Sequence, residues 1–397
     1  MKARIAVSST LGENSIENQK NIGGKMAAIC YMKDDYDKIS NEDEEKSINR
    51  FEKVTSTGHH SVADHSFYTV VFENIPKMTA MILNSLQWYN TSEKSGRYTE
   101  MTASSEKEQK LYDKWKYKFF NIIKEKYSDK FDEKQIMKLA QENARYVLSV
   151  FTPSTTMAYT TTLRQWKYIV DWCDFYITNH DTDSHTSIRY YRELFNCIVD
   201  LRNSILELGL YVKELKDNKH RRFNFLVERS YDIFSFLQKE DYFGAVYSTT
   251  YMGSFVQLAQ AQRHRTLRYI MYHNPAGVQA FYVPEILNER EDIAQWLEDL
   301  NSISDLTPQA TLVEINETGT IDNFILKCKE RLCGRAQLEI MKQTKETLEK
   351  YYYNSDSIYN AFFEEFIDYN GKAKTKCCSV DCKEPCVWGK KGLERDI

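Results

Sequence analysis

Apolar and polar positions follow two different periods along the first half of the chain. The stretches RIAVSST (4–10) and HSFYTVVFENI (65–75) are rich in apolar, β-branched and aromatic residues and predict strands. NQKNIGGKMAAICYMK (18–33) predicts a helix, and PKMTAMILNSLQWYN (76–90) opens with a proline that suits the first turn of another. Residues 106–150 repeat their apolar positions at helical spacing in two segments and therefore predict two helices.

The order of these elements restarts after about residue 217. AVYSTTYMGSFVQLAQAQRHR (245–265) has the pattern of residues 66–87, a strand followed by a helix and a polar loop. One long amphipathic helix is predicted at residues 320–352, TIDNFILKCKERLCGRAQLEIMKQTKETLEKYY. In the first half, the corresponding helix follows an irregular link at 151–162. Identity between the halves is low, so the repeat is one of element order, and two α+β halves that share an order by chance are the alternative.

Composition is that of an ordinary globular protein. The chain has 397 residues, enough for two domains or one large one, and a formal net charge of −4. Its 14 Gly and 6 Pro are few, which favours helices with some strands. The near-neutral balance argues against nucleic acid as a partner, because general nucleic-acid binders have a clearly basic face. An anionic ligand would therefore need a local cluster of arginines.

The apolar runs of the chain are short. None approaches the roughly 20 residues of a membrane-spanning helix, and the apolar part of MKARIAVSSTLGENS is too short for a signal peptide. We therefore expect a cytoplasmic protein that does not use a membrane. The nine cysteines, an odd number in a large chain, do not indicate a disulfide scaffold.

The segment GHHSVADHSF concentrates polar side chains before a predicted strand. His59, His60, Asp64 and His65 are metal ligands or acid–base groups by type, and Ser61 adds a hydroxyl. A histidine-rich loop that caps the strand is the alternative, and spacing alone favours it.

A second polar segment is SEKSGRYTEM. Ser95, Gly96, Arg97 and Tyr98 offer a hydroxyl, a backbone N–H and a guanidinium, which suit an anionic or amide-bearing ligand. An ordinary turn is the alternative, and the segment taken alone favours it.

The triplet Arg263-His264-Arg265 concentrates hydrogen-bond donors after a predicted apolar helix. Such a cluster is costly to bury without an anion, so a phosphate is its natural partner. A solvated basic helix end is the alternative for the bare tripeptide.

The Cys-rich tail, residues 377–386, has Cys378, Cys382 and Cys386 at four-residue spacing, with Cys377 adjacent. With Cys333, three of these thiols would complete a tetrahedral zinc site. The spacing is looser than a pair of C-x-x-C units, so a reducible, partly disordered tail is the alternative.

Together these segments resemble one family, the flavin-dependent thymidylate synthases. That family carries an H-x-S-x-x-E-H segment before a strand, an R-H-R motif after the next helix, an S-x-R-Y loop soon after it, and an A-Q-x-E-I helix. This chain has matching segments over most of its length: His59-x-Ser61-x-x-Asp64-His65, Ser95-Gly96-Arg97-Tyr98, Arg263-His264-Arg265 and Ala336-Gln337-Leu338-Glu339-Ile340.

The matching motifs are divided between the halves in a complementary way. Where R-H-R is expected, the first half reads Ser85-Leu86-Gln87, and where S-G-R-Y is expected, the second half has His273. Because active sites of the family lie between subunits of a tetramer, the resemblance implies a tandem fusion in which one copy of each motif suffices.

The resemblance also implies an architecture. We expect an α+β fold of two tandem copies, each with the family's antiparallel sheet and long helices. The first copy would span residues 1–205, and the second would span 206–397 and include the Cys-rich tail. Two such chains would form a homodimer that acts as a pseudo-tetramer.

The activity implied by the resemblance is FAD-dependent C5 methylation of deoxyuridylate to thymidylate, with methylenetetrahydrofolate and NADPH as co-substrates. The partners would be a pyrimidine deoxynucleotide monophosphate and a folate. The implied catalytic residues are Arg263, His264, Arg265, Ser95 and Arg97. The implied substrate-binding residues are Gln260, Gly96, Tyr98, Arg145 and Arg331, with the last two on the phosphate. The implied flavin-binding residues are His59, Ser61, His65, Arg164, Arg263, His264 and Arg265.

Two positions depart from the family pattern, and two other functions stay open. Asp64 replaces the usual glutamate, and Cys30 stands where the family often has a flavin-phosphate serine. A C5-methylase or hydroxymethylase of another pyrimidine nucleotide, such as deoxycytidylate, is one alternative. A non-catalytic nucleotide- or flavin-binding scaffold is the other, although drift would not be expected to spare one copy of each arginine.

Overall fold

The structure is a computed structural model in which residues 1–9, 16–33, 35–86, 88–97, 99–180, 187–213, 215, 233–234, 240–376 and 386–397 are described. The strands are β1 (Lys2–Ser8), β2 (Phe67–Ile75), β3 (Tyr89–Glu93), β4 (Thr155–Thr162), β5 (Tyr242–Phe243), β6 (Val246–Ser254), β7 (Arg268–Tyr272) and β8 (Leu312–Thr320).

The helices are α1 (Ile16–Tyr31), α2 (Tyr36–Ser40), α3 (Glu44–Ser56), α4 (Lys77–Ser85), α5 (Glu106–Tyr127), α6 (Glu133–Ala144), α7 (Leu163–His180), α8 (Arg189–Glu207), α9 (Phe255–Ala261), α10 (Arg290–Asn301), α11 (Ile321–Arg331), α12 (Leu338–Asn354) and α13 (Ser357–Asn360). Short 3-10 turns occur at His60–His65, Arg145–Val147, Ser304–Leu306, Ala361–Phe363 and Gly389–Glu394. In the described part of the chain, we find no helix that is both long and apolar enough to cross a membrane.

The chain folds into two compact units that interleave along the sequence. Unit 1 comprises residues 1–94 and 153–232, and unit 2 comprises residues 95–152 and 233–397. The segment 95–152, which carries α5 and α6, therefore belongs to unit 2 although strands of unit 1 flank it in sequence. The two predicted tandem copies, 1–205 and 206–397, describe how the sequence arose by duplication. The compact units describe how the chain packs, so the copies stay a prediction.

Unit 1 is built on an antiparallel sheet of order β1-β2-β4-β3. In β2, Tyr68, Val70 and Phe72 are buried because alternate residues of a strand point to one face. Phe72 packs on Trp166 of α7, with ring centroids 6.2 Å apart. The predicted strands at β1 and β2 and the helix at α1 are confirmed, and Pro76 lies just before α4 rather than in its first turn.

The irregular link predicted at 151–162 is wrong, because Thr155–Thr162 forms strand β4. Alternate residues from Thr155 to Thr161 are buried, and this period of two suits β-branched threonines on a half-buried strand. Pro153 precedes the strand, where no ladder hydrogen bond is needed.

Unit 2 contains an antiparallel sheet of order β5-β6-β8-β7. The order repeats that of unit 1, the first, second, fourth and third strands of each set. In both units a helix follows directly on the last of the four strands, α7 after β4 and α11 after β8. The predicted α+β class and the repeated order of elements are therefore confirmed.

The helices of unit 2 form its main apolar cluster. Trp115 of α5 meets Trp296 of α10 edge to face, with ring centroids 4.7 Å apart. Its indole N–H donates to Asp299 at 2.8 Å, which satisfies the polar edge of a buried ring. The two helices predicted between 106 and 150 are confirmed as α5 and α6.

The single long helix predicted at 320–352 is wrong. It is two helices, α11 and α12, separated by residues 332–337, which we call the 332–337 loop. The main-chain N–H of Ala336 turns back to the carbonyl of Cys333 at 2.9 Å, and Gln337 has an extended backbone before α12 begins. Gly334, a weak helix former, lies in this break. The consequence is that Gln337 enters the candidate site.

Candidate functional site

The Ser95-Gly96-Arg97 segment packs closely onto the arginine that ends α6. A Cβ on buried Gly96 would lie 3.3 Å from Cδ of Arg145 and 3.2 Å from Cε of Met101. Those distances are tighter than ordinary contacts, so glycine allows the segment to approach Arg145. Tyr98, the last predicted residue of this motif, lies outside the described residues.

Arg97 joins its segment to α6 and to the 332–337 loop. Its Nε donates to Oε2 of Glu142 at 2.9 Å, and its Nη2 donates to the carbonyl of Arg335 at 2.9 Å. Its main-chain N–H donates to Oγ of Ser95 at 3.3 Å. Arg97 is therefore oriented from three sides, while 23% of its side chain stays exposed.

Arg145 is a buried guanidinium whose hydrogen-bond acceptor is neutral. Its Nη2 donates to Oε1 of Gln337 at 2.7 Å, and its Nε is buried with no hydrogen-bond partner. Burial lowers the pKa of Arg145, the charge of Glu142 opposes this effect, and the charge of Arg97 adds to it. A buried cation in such surroundings favours an anion beside it.

Gln337 is the centre of a buried polar network. Its Oε1 also accepts from Nε2 of Gln260, and its Nε2 donates to the hydroxyl of Tyr146. Tyr146 donates to Oε2 of Glu339 at 2.6 Å, which also accepts from Oγ of Ser254 at 2.8 Å. Ser254 is the N-cap of α9, so the network fixes that helix relative to the start of α12.

The Arg263-His264-Arg265 motif forms the turn after α9. Arg263 and Arg265 are exposed, whereas His264 is buried. Nε of Arg331, the last residue of α11, donates to Nε2 of His264 at 2.7 Å. An imidazole nitrogen that accepts carries no proton, so Nδ1 of His264 bears it.

The imidazole of His264 is neutral in this arrangement. Burial, together with the charges of Arg331 and Lys327, lowers the pKa of His264 to about 2. Glu330, the nearby carboxylate, lies 3.9 Å from Nδ1 and its side chain is 65% exposed, so water weakens its attraction. The middle residue of the motif therefore orients Arg331 rather than adding charge.

The guanidinium groups of unit 2 act on one another. Burial is the largest cause that lowers the pKa of Arg145, Arg331 and Arg395. The charge of Arg97 lowers the pKa of all three as well. Arg263 acts on Arg331 in the same direction. Unit 2 thus brings together arginines that the sequence places far apart, and an anion beside them would relieve their mutual repulsion.

A cavity of about 30 Å³ lies beside Arg97, with Glu142, Gln337 and Arg395 among its lining residues. That volume holds about one or two water molecules rather than a nucleotide. The cavity is therefore too small in this structure to hold a whole nucleotide.

The predicted flavin residues of the histidine-rich segment lie in unit 1. His59, Ser61 and His65 are exposed at and next to the 3-10 turn before β2. The ring of His59 meets that of Tyr31 edge to face at 6.4 Å. Their exposure suits contact with a ligand, and their role stays a prediction.

Arg164, also predicted to contact flavin, is paired within unit 1. Its Nη1 donates to Oδ2 of Asp64 at 2.7 Å, and its Nε donates to the hydroxyl of Tyr168 at 3.1 Å. The same hydroxyl lies 3.0 Å from Nδ1 of His60. Asp64, the replacement for the family's glutamate, is thus an ion-pair partner of Arg164.

The predicted zinc ligands are described only in part. Cys333 and Cys386 are partly buried, and Cys378 and Cys382 lie outside the described residues. A Cβ on Gly334 would lie 2.7 Å from Sγ of Cys386, so this thiol lies against the 332–337 loop. Among the residues that the structure describes, no three His, Cys, Asp or Glu side chains form a metal-binding group.

Four buried polar residues of this site are absent from the sequence prediction: Glu142, Tyr146, Gln337 and Glu339. Two of them lie in the A-Q-L-E-I motif, which we used as a family marker without assigning roles to its members. Glutamate in an otherwise apolar, buried segment is a signal for a polar partner, because charged groups are rarely buried unpaired.

In fold and site, the protein is an α+β protein whose second unit brings several arginines close to one buried polar network. Residues 14–174 match the family model described as thymidylate synthase complementing protein. This match, which covers less than half of the chain, confirms the resemblance inferred from the motifs. It includes the histidine-rich and S-G-R-Y segments and ends before R-H-R.

Solved structures with remote similarity bear related descriptions. Thymidylate Synthase X from Helicobacter pylori with FAD and dUMP is 12% identical, covers 55% of this chain and 100% of its own, and has a TM-score of 0.31. The UMP/dUMP methylase PolB from Streptomyces cacaoi bound with 5-Br dUMP is 13% identical, covers 53% and 96%, and has a TM-score of 0.31. No curated protein matches the chain.

Proposed function

We propose that the protein is a flavin-dependent thymidylate synthase, which methylates deoxyuridylate at C5 with methylenetetrahydrofolate, FAD and NADPH. We propose further that its sites are composite. Arg97 and Arg145 would come from the first half of the sequence, and Gln260 and Arg263–Arg265 from the second. The family match over residues 14–174 and the joint presence of these residues in unit 2 support both statements.

The observation that carries the proposal is the bonding of the two predicted phosphate arginines to neutral groups. Arg145 donates to the amide oxygen of Gln337, and Arg331 donates to the imidazole of His264. The carboxylate near Arg331, Glu330, is 3.8 Å away and largely exposed. A phosphate monoester supplies the charge-assisted acceptors that both guanidiniums favour.

The residues would divide the work as follows. Arg145 would bind the phosphate through its buried Nε, and Gln337 would hold the guanidinium in place. His264 would orient Arg331 toward the same group. Arg263, which is exposed, would stabilise negative charge that develops on the pyrimidine, because a cation lowers the free energy of negative charge that forms beside it.

The donor set of the chain fits FAD. Exposed guanidiniums at Arg263 and Arg265 of unit 2 are the donors that diphosphate oxygens prefer. When bound, FAD supplies the hydride that completes the methyl group.

The decisive experiment incubates the purified protein with methylenetetrahydrofolate, NADPH and deoxyuridylate, with deoxycytidylate in a parallel reaction. We expect bound flavin and the mass gain of one methyl group on deoxyuridylate. Replacing the buried cation, Arg145→Ala, should weaken deoxyuridylate binding about tenfold or more, since a lost charge-assisted hydrogen bond costs about 1.5–3 kcal/mol. Lys134→Ala, at an exposed position of α6, is the matched control.

The other outcomes are equally informative. A gain on deoxycytidylate alone would make the enzyme a C5-methylase or hydroxymethylase of that nucleotide. No gain on either nucleotide, with no bound flavin, would leave a nucleotide-binding scaffold and contradict the proposal.

Three further features belong to the proposal. Two chains would pair as a homodimer that acts as a pseudo-tetramer. The protein would act in the cytoplasm. A structural zinc would be held by Cys333, Cys378, Cys382 and Cys386, and the metal content of the purified protein tests this.

A further inference from the structure

Three successive carbonyls of the 332–337 loop accept from two guanidinium groups. Nη1 of Arg395 donates to the carbonyl of Gly334 at 2.6 Å, and its Nη2 donates to that of Ala336. The carbonyl between them, on Arg335, accepts from Nη2 of Arg97 at 2.9 Å. Two guanidinium groups therefore hold the backbone of this loop. Because a guanidinium is planar, it fixes the direction of its hydrogen bonds as well as their length.

The residue that follows these carbonyls is Gln337, the acceptor of Arg145. Gln337 has an extended backbone, and α12 starts at the next residue. A shift of the carbonyl of Ala336 would therefore turn the side chain of Gln337 directly. Since Oε1 of Gln337 accepts from both Arg145 and Gln260, the loop backbone sets the position of the buried phosphate arginine.

Arg395 is itself anchored by its neighbours. The carboxylate of Asp396 accepts from Nζ of Lys126 and from the hydroxyl of Tyr127, both at the end of α5. Ile397 is buried in the cluster formed by α5, α6 and α10. The 386–397 segment thus connects the helices of unit 2 to the 332–337 loop.

We propose that Arg395 is a positioning residue of the candidate site. It holds the 332–337 loop so that Gln337 meets Arg145, and it makes the affinity for the nucleotide phosphate depend on the 386–397 segment. The statement about the nucleotide rests on the proposed function, whereas the statement about the loop does not.

Charge offers a competing explanation, because Arg395 and Arg97 line the same small cavity. Arg395 would then act on a bound anion only as a nearby cation. Arg395→Lys separates the two explanations, since a lysine keeps the charge but its single nitrogen cannot reproduce a fork across two carbonyls.

The test measures the dissociation constant of deoxyuridylate by calorimetry for wild type, Arg395→Ala, Arg395→Lys, Gln337→Ala and the double variant Arg395→Ala/Gln337→Ala. We expect each single variant to weaken binding about tenfold, and the double variant to be about as weak as one single variant, because residues in one network are not additive. Lys390→Ala removes an exposed cation from the same segment and should bind as wild type.

Two results would overturn the inference: wild-type affinity in Arg395→Lys, or effects of Arg395→Ala and Gln337→Ala that multiply. If wild type does not bind deoxyuridylate at all, the proposed function fails and amide hydrogen exchange decides about the loop. Faster exchange at residues 333–338 in both Arg395→Ala and Arg395→Lys, with Lys390→Ala unchanged, would support the positioning role, and unchanged exchange in either Arg395 variant would contradict it.

Discussion

A buried histidine between two exposed arginines defines the electrostatics of the site at the scale of single residues. A charged imidazole at His264 would face Arg331 and Lys327, and burial removes the water that could screen them. A neutral imidazole instead gives Nε of Arg331 an acceptor at 2.7 Å. The triplet is therefore two cations and a neutral acceptor, which the sequence alone does not distinguish from three cations.

This arrangement predicts a specific pH dependence of stability. The ordinary pKa of histidine, 6.5, is lowered at His264 to about 2, so between these values the unfolded chain binds a proton that the folded chain does not. Unfolding therefore becomes easier as pH falls below about 6.5, by about 1.4 kcal/mol per pH unit from this group. His264→Gln should lose that slope in urea titrations at pH 6.5 and 5.

The control for this prediction is His65→Gln, at an exposed position. His273, whose pKa burial lowers to about 4, contributes equally to all three proteins. An unchanged slope in His264→Gln would mean that the imidazole is charged in the folded protein or reaches water.

At the scale of secondary-structure elements, the contact between α1 and α3 explains why two glycines lie inside a helix. Gly23 and Gly24 lie inside α1, where each costs about 1 kcal/mol relative to alanine. A Cβ on Gly24 would lie 1.8 Å from the carbonyl oxygen of Ser47, and the carbonyl of Gly24 accepts from Arg50 at 2.9 Å. The helices cross backbone to backbone at this point.

The sign of the change in the free energy of unfolding of Gly24→Ala tests this close approach. In an open helix the change would stabilise by about 1 kcal/mol. Against the backbone of Ser47, which cannot rotate away, we expect a loss of about 3 kcal/mol or more in the free energy of unfolding. Ile29→Ala, exposed on the same helix, should stay within about 0.5 kcal/mol of wild type in the same measurement. A stabilised Gly24→Ala would show that α1 and α3 are further apart.

How much the sequence predicted depended on the kind of element. Strands β1 and β2 and helices α5 and α6 were predictable because a single period dominates each of them. Strand β4 was missed because threonines stand on both of its faces, which weakens the contrast between them. The break between α11 and α12 was missed because apolar spacing continues across it, and because distant Arg97 and Arg395 supply hydrogen bonds to its carbonyls.

The site shows the same limit. Motif comparison located Arg97, Arg145 and Arg331, because long polar side chains in short signatures stand out in a sequence. It did not locate Glu142, which accepts from Arg97, or Tyr146, which holds Gln337 and Glu339, and these partners are about 45 to about 190 residues away. Long-range pairing of this kind depends on the tertiary fold rather than on local pattern.

At the scale of the whole molecule, the interleaved units bear on where the active site is assembled. The family resemblance implies sites between subunits, and in a fused chain the two arginines, Arg97 and Arg263, come either from one chain or from two. In unit 2, Arg97 donates to the carbonyl of Arg335, and Arg331 of the same chain donates to His264, the neighbour of Arg263. We therefore expect each working site to take both arginines from one chain.

Mixing two inactive variants tests this assignment. Arg97→Ala and Arg263→Ala should each lose turnover, because each removes a cation from the anion site. Refolding or co-expressing them together should restore nothing if both arginines serve in one chain. If they serve across chains, half of randomly formed homodimers are mixed and each has one intact site of two, so roughly a quarter of the wild-type rate should return. Wild-type turnover in Arg97→Ala alone would contradict the composite site itself.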